Sequence, residues 1–142
     1  MRHFGTAIVL ALSTALLVGP HAEALEQRRG SGEREMDFSH VTSRAKADEL
    51  VKRGELVKIW LFPRRFGGPR ERMNVGYVPA GTEVALEFAH DRISGLIELG
   101  SIDGMTVEPQ YRGKSVVLSA ITYICRSDTP GTGEIKISID IW

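Results

Sequence analysis

Ile135, Ile137, Ile139 and Ile141 alternate with Glu134, Lys136, Ser138, Asp140 and Trp142 through residues 133–142. Strict period-two alternation separates two sets of side chains only on a β-strand, where successive residues point to opposite faces. A strand with four isoleucines on one side requires a core on that side, and the other face, bearing Glu134, Lys136, Ser138 and Asp140, belongs to solvent. The rest of the chain is therefore read for what covers that face and for what pairs with that strand.

Upstream, the elements follow in order. Residues 43–53 carry Ala47, Leu50 and Val51 on one helical stripe, with Thr42 or Ser39 as the cap, Glu49 and Arg53 at i, i+4, and Gly54 as the C′ residue. Residues 55–62 are apolar on both faces, which predicts an interior strand ended by Pro63. A loop over 64–73 and a short extended piece over 74–78 follow. Residues 82–100 fit a helix capped by Thr82, with Ala85, Ala89, Ile93, Leu96 and Ile97 on one face; two strands are the alternative. Length without an internal turn dipeptide favours the helix. Residues 105–108 form a strand stopped by Pro109, and 110–114 a turn around Gly113. Residues 115–126 form a long strand, and 127–132 a turn rich in Asp, Pro and Gly. This order predicts an α+β fold: a single small domain, mainly antiparallel sheet, with two helices packed on one face. An all-β sandwich is the alternative if residues 82–100 are strands.

The first residues have a different composition. Arg2 precedes an apolar run, Ala7 to Val18, of signal-peptide length and too short to cross a bilayer. Gly19-Pro20 and the small-x-small site Ala22-Glu23-Ala24 follow. We expect residues 1–24 to be a cleaved signal peptide, 25–38 a flexible charged arm, and 39–142 the globular domain. The expected product is exported, periplasmic or secreted, and without a membrane span in its mature form. Cys125 is the only cysteine, so no internal disulfide can form; its apolar neighbours suit a buried thiol.

Eighteen basic and eighteen acidic residues give a formal net charge of zero. That balance excludes general nucleic-acid binding, which needs a basic excess or a dense basic face. Catalytic signals are sparse. The expected mature chain retains only His40 and His90, without the convergent ligands a metal centre needs, so no metal or cofactor is expected. His90 reads as a surface histidine on a helix. A triad of Cys125, His90 and Asp91 would need a thiol of lowered pKa, which an apolar strand does not supply. No nucleophile elbow or P-loop occurs.

The distinctive segment is Pro63-Arg64-Arg65-Phe66-Gly67-Gly68-Pro69-Arg70-Glu71-Arg72, four arginines against one acid, a local charge of +3. Guanidinium groups offer planar forks to carboxylates or phosphates, and an aromatic among arginines is a hot-spot composition. The expected binding residues are Arg64, Arg65, Phe66, Arg70 and Arg72. The expected partner is another protein or an anionic envelope component. An envelope inhibitor or immunity-type protein fits the size by analogy; the alternative is a small envelope hydrolase using His90.

Overall fold

A computed structural model describes residues 36–142. The expected signal peptide and residues 25–35 of the expected arm lie outside that range. The described chain runs α1 (Arg44–Lys52), β1 (Leu56–Trp60), two 3₁₀ turns (Arg64–Phe66 and Arg72–Asn74), β2 (Val75–Pro79), α2 (Thr82–Glu98), β3 (Gly104–Tyr111), β4 (Leu118–Arg126) and β5 (Ile135–Asp140). The fold is α+β, and the helix over Thr82–Glu98 removes the sandwich alternative.

The helices begin and end where local chemistry stops them. Ser43, rather than Thr42 or Ser39, caps α1, its hydroxyl accepting from the Lys46 N–H at 3.3 Å. Gly54 takes a left-handed φ of 74° beyond the helix end, as its C′ position requires. At the start of α2 the N-cap is Gly81, with a left-handed φ of 97° and no side-chain cap, and not Thr82, which is the first helical residue; Glu83 Oε2 accepts from the Gly81 N–H at 2.6 Å. A negative group there also meets the positive end of the helix dipole. The buried stripe of α2 is Leu86, Ala89, His90 and Ile93. It is rotated from the expected face, so that Ala85 and Ile97 are exposed.

The strands form two sheets, not one. β1 and β2 make an antiparallel ribbon, and β3, β4 and β5 a three-stranded antiparallel sheet with β4 central. A single parallel bridge, Tyr77 to Val117, joins them. The expected interior strand is half of the two-stranded ribbon, and its Lys58 and Trp60 are exposed. Its apolar content on both faces has a different cause: the ribbon has a core on each side. Val57 and Ile59, with Val78, face a cluster containing Leu86, Ala89 and Ile93 of α2 and Leu118, Ile121, Tyr123 and Cys125 of β4. Leu56 and Tyr77 turn the other way, onto Val41, Ala47, Leu50 and Val117. The two helices thus cover opposite faces of the ribbon, which corrects the expectation that both share one face.

β5 keeps its predicted alternation, with Ile137 buried and Ile135, Ile139 and Ile141 packed against the α2 cluster. β4 is flanked on both sides and buried from Ala120 to Cys125. A register shift between Gln110 and Tyr111 leaves Ser119 without a β3 partner. This bulge changes the parity of the strand and sends Leu118 to the same side as Ile121, Tyr123 and Cys125. β3 continues through Pro109 instead of ending before it. Proline is tolerated there because β3 is an edge strand. The end of the expected arm is docked: the Phe38 carbonyl accepts from Ser115 Oγ at 2.9 Å, and the Phe38 ring meets Trp142 edge-on at 5.8 Å. Among the described residues no helix is long and apolar enough to cross a membrane.

Candidate functional site

The arginine segment bridges the two ribbon strands, and its backbone is fixed by one side chain. Asn74, only 8% exposed, accepts from the Phe62 N–H at 2.7 Å. It donates to the Phe62 and Pro69 carbonyls at 2.9 and 3.0 Å. The Phe66 and Gly68 N–H groups both donate to the Pro63 carbonyl. Gly68 is buried so tightly that a Cβ would stand 1.9 Å from the Phe62 carbonyl oxygen. Gly67, at a left-handed φ of 91°, and Gly68 allow the loop to close on itself.

On this scaffold the five expected site residues part company. Arg64 donates to the Gly68 carbonyl at 3.2 Å and holds its guanidinium carbon 5.9 Å from the centre of the Trp60 ring. Arg65 reaches α2, donating to Asp91 at 3.0 Å and to Glu87 at 2.5 Å. The hydrogen bond to Asp91, reinforced by the charge of Glu87, raises its pKa further above the ordinary guanidinium range. Phe66 is half-buried against the main core and stands edge-to-face with the His90 ring at 6.0 Å. Arg70 and Arg72 are exposed, and neither has an ion pair among the described residues.

Behind Arg65 the polar chain continues inward. Glu87, His90 and Asp91 sit at i, i+3 and i+4 on α2, one helical face. His90 is 8% exposed, a buried residue and not the expected surface histidine. Its Nε2 stands 3.0 Å from the Tyr123 hydroxyl, and its Nδ1 3.7 Å from Glu87 Oε1. Burial lowers the His90 pKa, and the nearby Glu87 carboxylate only partly opposes it. Burial likewise drives the Tyr123 phenol far above its ordinary range. A neutral imidazole carrying its proton on Nδ1 satisfies both neighbours: the phenol donates to Nε2, and the N–H faces Glu87.

Ile59, Trp60, Pro63, Arg64, Arg65, Glu83, Leu86, Glu87 and His90 enclose a cleft of about 280 Å³. Its lining mixes apolar with charged side chains. No serine, threonine or cysteine lines it. Cys125 is fully buried with a pKa raised by desolvation, and the residue that meets His90 is Tyr123. The Cys125–His90–Asp91 triad considered from sequence is therefore not assembled. Among the described residues no three His, Cys, Asp or Glu side chains converge as a metal site would need. Sequence reasoning missed Trp60, Asn74, Glu87 and Tyr123. The spacing of Glu87 and Asp91 around His90 was available once residues 82–98 were read as a helix. The Tyr123 contact, 33 residues away, was not.

No family model matches the chain, and no curated protein or solved structure matches it.

Proposed function

We propose that this is a small exported binding protein that recognises an acidic segment of another protein through Arg64, Arg70 and Arg72. One observation carries the reading. These three guanidinium groups stand on a pinned loop, and no carboxylate among the described residues pairs with them. A cation already held by a neighbouring carboxylate has little left to offer a partner, and Arg65 is in that position. A cation on a fixed backbone, by contrast, loses little freedom on binding. Apolar surface lies nearby: Trp60 under Arg64 is 38% exposed and Met73 84% exposed. Arginine beside a large apolar side chain is the usual composition of an interaction hot spot. Phe66 supports the site from below, by fixing the loop against the core.

The test is to capture partners with the mature domain and measure both rate constants at two salt concentrations. Changing Arg64, Arg70 and Arg72 together to serine is expected to slow association, with a loss that shrinks at high salt, because exposed charges act over about 10 Å at 0.1 M ionic strength. Unchanged rates in a folded triple variant would refute the site. An anionic envelope polymer competing as well as the protein partner would change the partner class.

A second reading, a small envelope hydrolase, is favoured by the placement of His90 between Glu87 and Tyr123 at the cleft. It would work through water activated by His90 or through a carboxylate, because no serine, threonine or cysteine lines the cleft. Turnover abolished by His90→Gln, with the arginine variants active, would select it.

A further inference from the structure

β5 is an edge strand, paired with β4 on one side only. The direction of its free backbone groups follows from one hydrogen bond. The Ile141 N–H donates to the Ser119 carbonyl at 2.9 Å, so residue 141 points its peptide groups at β4. In an antiparallel ladder this orientation repeats every second residue. Ile135, Ile137 and Ile139 therefore also point at β4. The N–H and C=O groups of Lys136, Ser138 and Asp140 point away from it. A side-chain contact agrees: Thr122 and Ser138 are register partners, and their hydroxyls meet at 2.9 Å. So close an approach suits a pair that exchanges no backbone hydrogen bonds across β4 and β5.

We propose that this edge pairs with the same edge of a second copy of the chain, antiparallel about a twofold axis at Ser138, to make a continuous six-stranded sheet. The register is chosen by the side chains. With Ser138 opposite its own copy, Lys136 stands opposite Asp140 of the second copy, and Asp140 opposite Lys136. Both are hydrogen-bonded positions, because these are the residues whose backbone groups point outward. Each copy thus meets an opposite charge twice, and the axis carries two small hydroxyl side chains that do not clash. On the other face Ile137 meets Ile139 and Ile135 meets Ile141, closing the partly exposed isoleucine row. A two-residue slip in either direction would set Lys136 or Asp140 opposite Ser138 of the second copy and lose both charge pairs, and a four-residue slip would place Lys136 or Asp140 opposite its own copy, where like charges are unfavourable. Asp140 has no ion pair among the described residues, and Lys136 has only a 4.0 Å approach to Glu134. Unlike β3, with Pro109, β5 contains no proline to block edge pairing. A twofold interface must be self-complementary, and this strand reads as its own partner.

The experiment is analytical ultracentrifugation of the full exported chain over a dilution series. A monomer–dimer equilibrium is expected. Lys136→Asp alone, or Asp140→Lys alone, sets like charges opposite each other at two places and should raise the dissociation constant at least about tenfold. The double variant Lys136→Asp/Asp140→Lys should restore it. Ser138→Cys, oxidised, should give a dimer linked 138 to 138, because facing residues of a strand pair lie within disulfide reach, about 4.4–6.8 Å between Cα atoms. Cys125 is buried and does not compete. A chain monomeric at every concentration overturns the proposal. So does a dimer indifferent to the charge swaps, or one whose Ser138→Cys form does not cross-link. If Lys136→Asp fails to fold, the Asp140→Lys and Ser138→Cys forms decide the question alone.

Discussion

A single imidazole ties the arginine loop to the core, and its chemistry has a consequence in solution. His90 is packed against Phe66, hydrogen-bonded to Tyr123, and overlooked by Glu87, Asp91 and Arg65. Desolvation lowers its folded pKa below the ordinary 6.5 of the unfolded chain. Between those two values the unfolded state binds more protons than the folded one, so stability rises with pH across that window. Acidification through pH 6.5 should therefore weaken the fold progressively, and the loss should level off once pH falls below the folded pKa. His90→Gln cannot take up that proton. Its urea midpoint should be lower at neutral pH, from lost packing, yet nearly flat across the same window. Equal slopes for wild type and His90→Gln, measured by tryptophan fluorescence, would show that the ring does not carry the dependence. Little of this was readable from sequence. A histidine on an amphipathic helix looks like surface until the tertiary fold brings a tyrosine to it.

Among the elements, β5 offers the sharpest comparison. Ile137 is 7% exposed and lies within the main core, whereas Ile139 is only partly buried. Ile137→Asp puts a carboxylate into apolar surroundings at a cost of several kcal/mol, comparable with the roughly 5–15 kcal/mol that holds a domain together. Ile139→Asp can turn its carboxylate towards water and should lose clearly less. Circular dichroism with urea titration checks the order; an Ile139 variant as damaged as the Ile137 variant would mean that the strand edge is covered. The alternation behind this prediction was plain in the sequence, because period two is a local property of the backbone. So were α1 and the turns after β1 and β4, whereas residues 82–100 favoured a helix over two strands only by their length. What the sequence did not reveal was how elements share faces. Apolar residues on both sides of β1 suit an interior strand as well as a ribbon lying between two cores. Only the positions of α1 and α2 separate the two cases. Pro109 misled for a related reason: a proline ends a central strand but rides within an edge strand, and edge status is set by strands distant in sequence.

Across the whole molecule, net charge is zero while its distribution is uneven, and the structure divides the four arginines between two tasks. Arg65 holds the loop to α2 through Glu87 and Asp91, two carboxylates at i, i+4 that would otherwise repel each other. Arg64, Arg70 and Arg72 hold no carboxylate among the described residues, so their removal breaks no ion pair there. Composition could mark the cluster but could not sort it, since the sorting depends on a helix 22 to 26 residues further along. The division makes a prediction about folding alone, independent of any partner. Replacing Arg64, Arg70 and Arg72 with serine takes the net charge from 0 to −3 (15 basic against 18 acidic) and should leave the thermal midpoint close to wild type, as exposed substitutions usually do. Adding Arg65→Ser should then lower the midpoint by more than the other three changes together. The added loss should be largest at low salt, where the bare Glu87–Asp91 repulsion is least screened. Replacing Glu87 with glutamine in the quadruple variant should recover part of it by removing one member of that like-charged pair. Differential scanning calorimetry at two ionic strengths reads all of these at once. If the triple and quadruple variants melt together at low salt, Arg65 is as free as its neighbours, and the division of the loop into an anchor and three displayed cations fails.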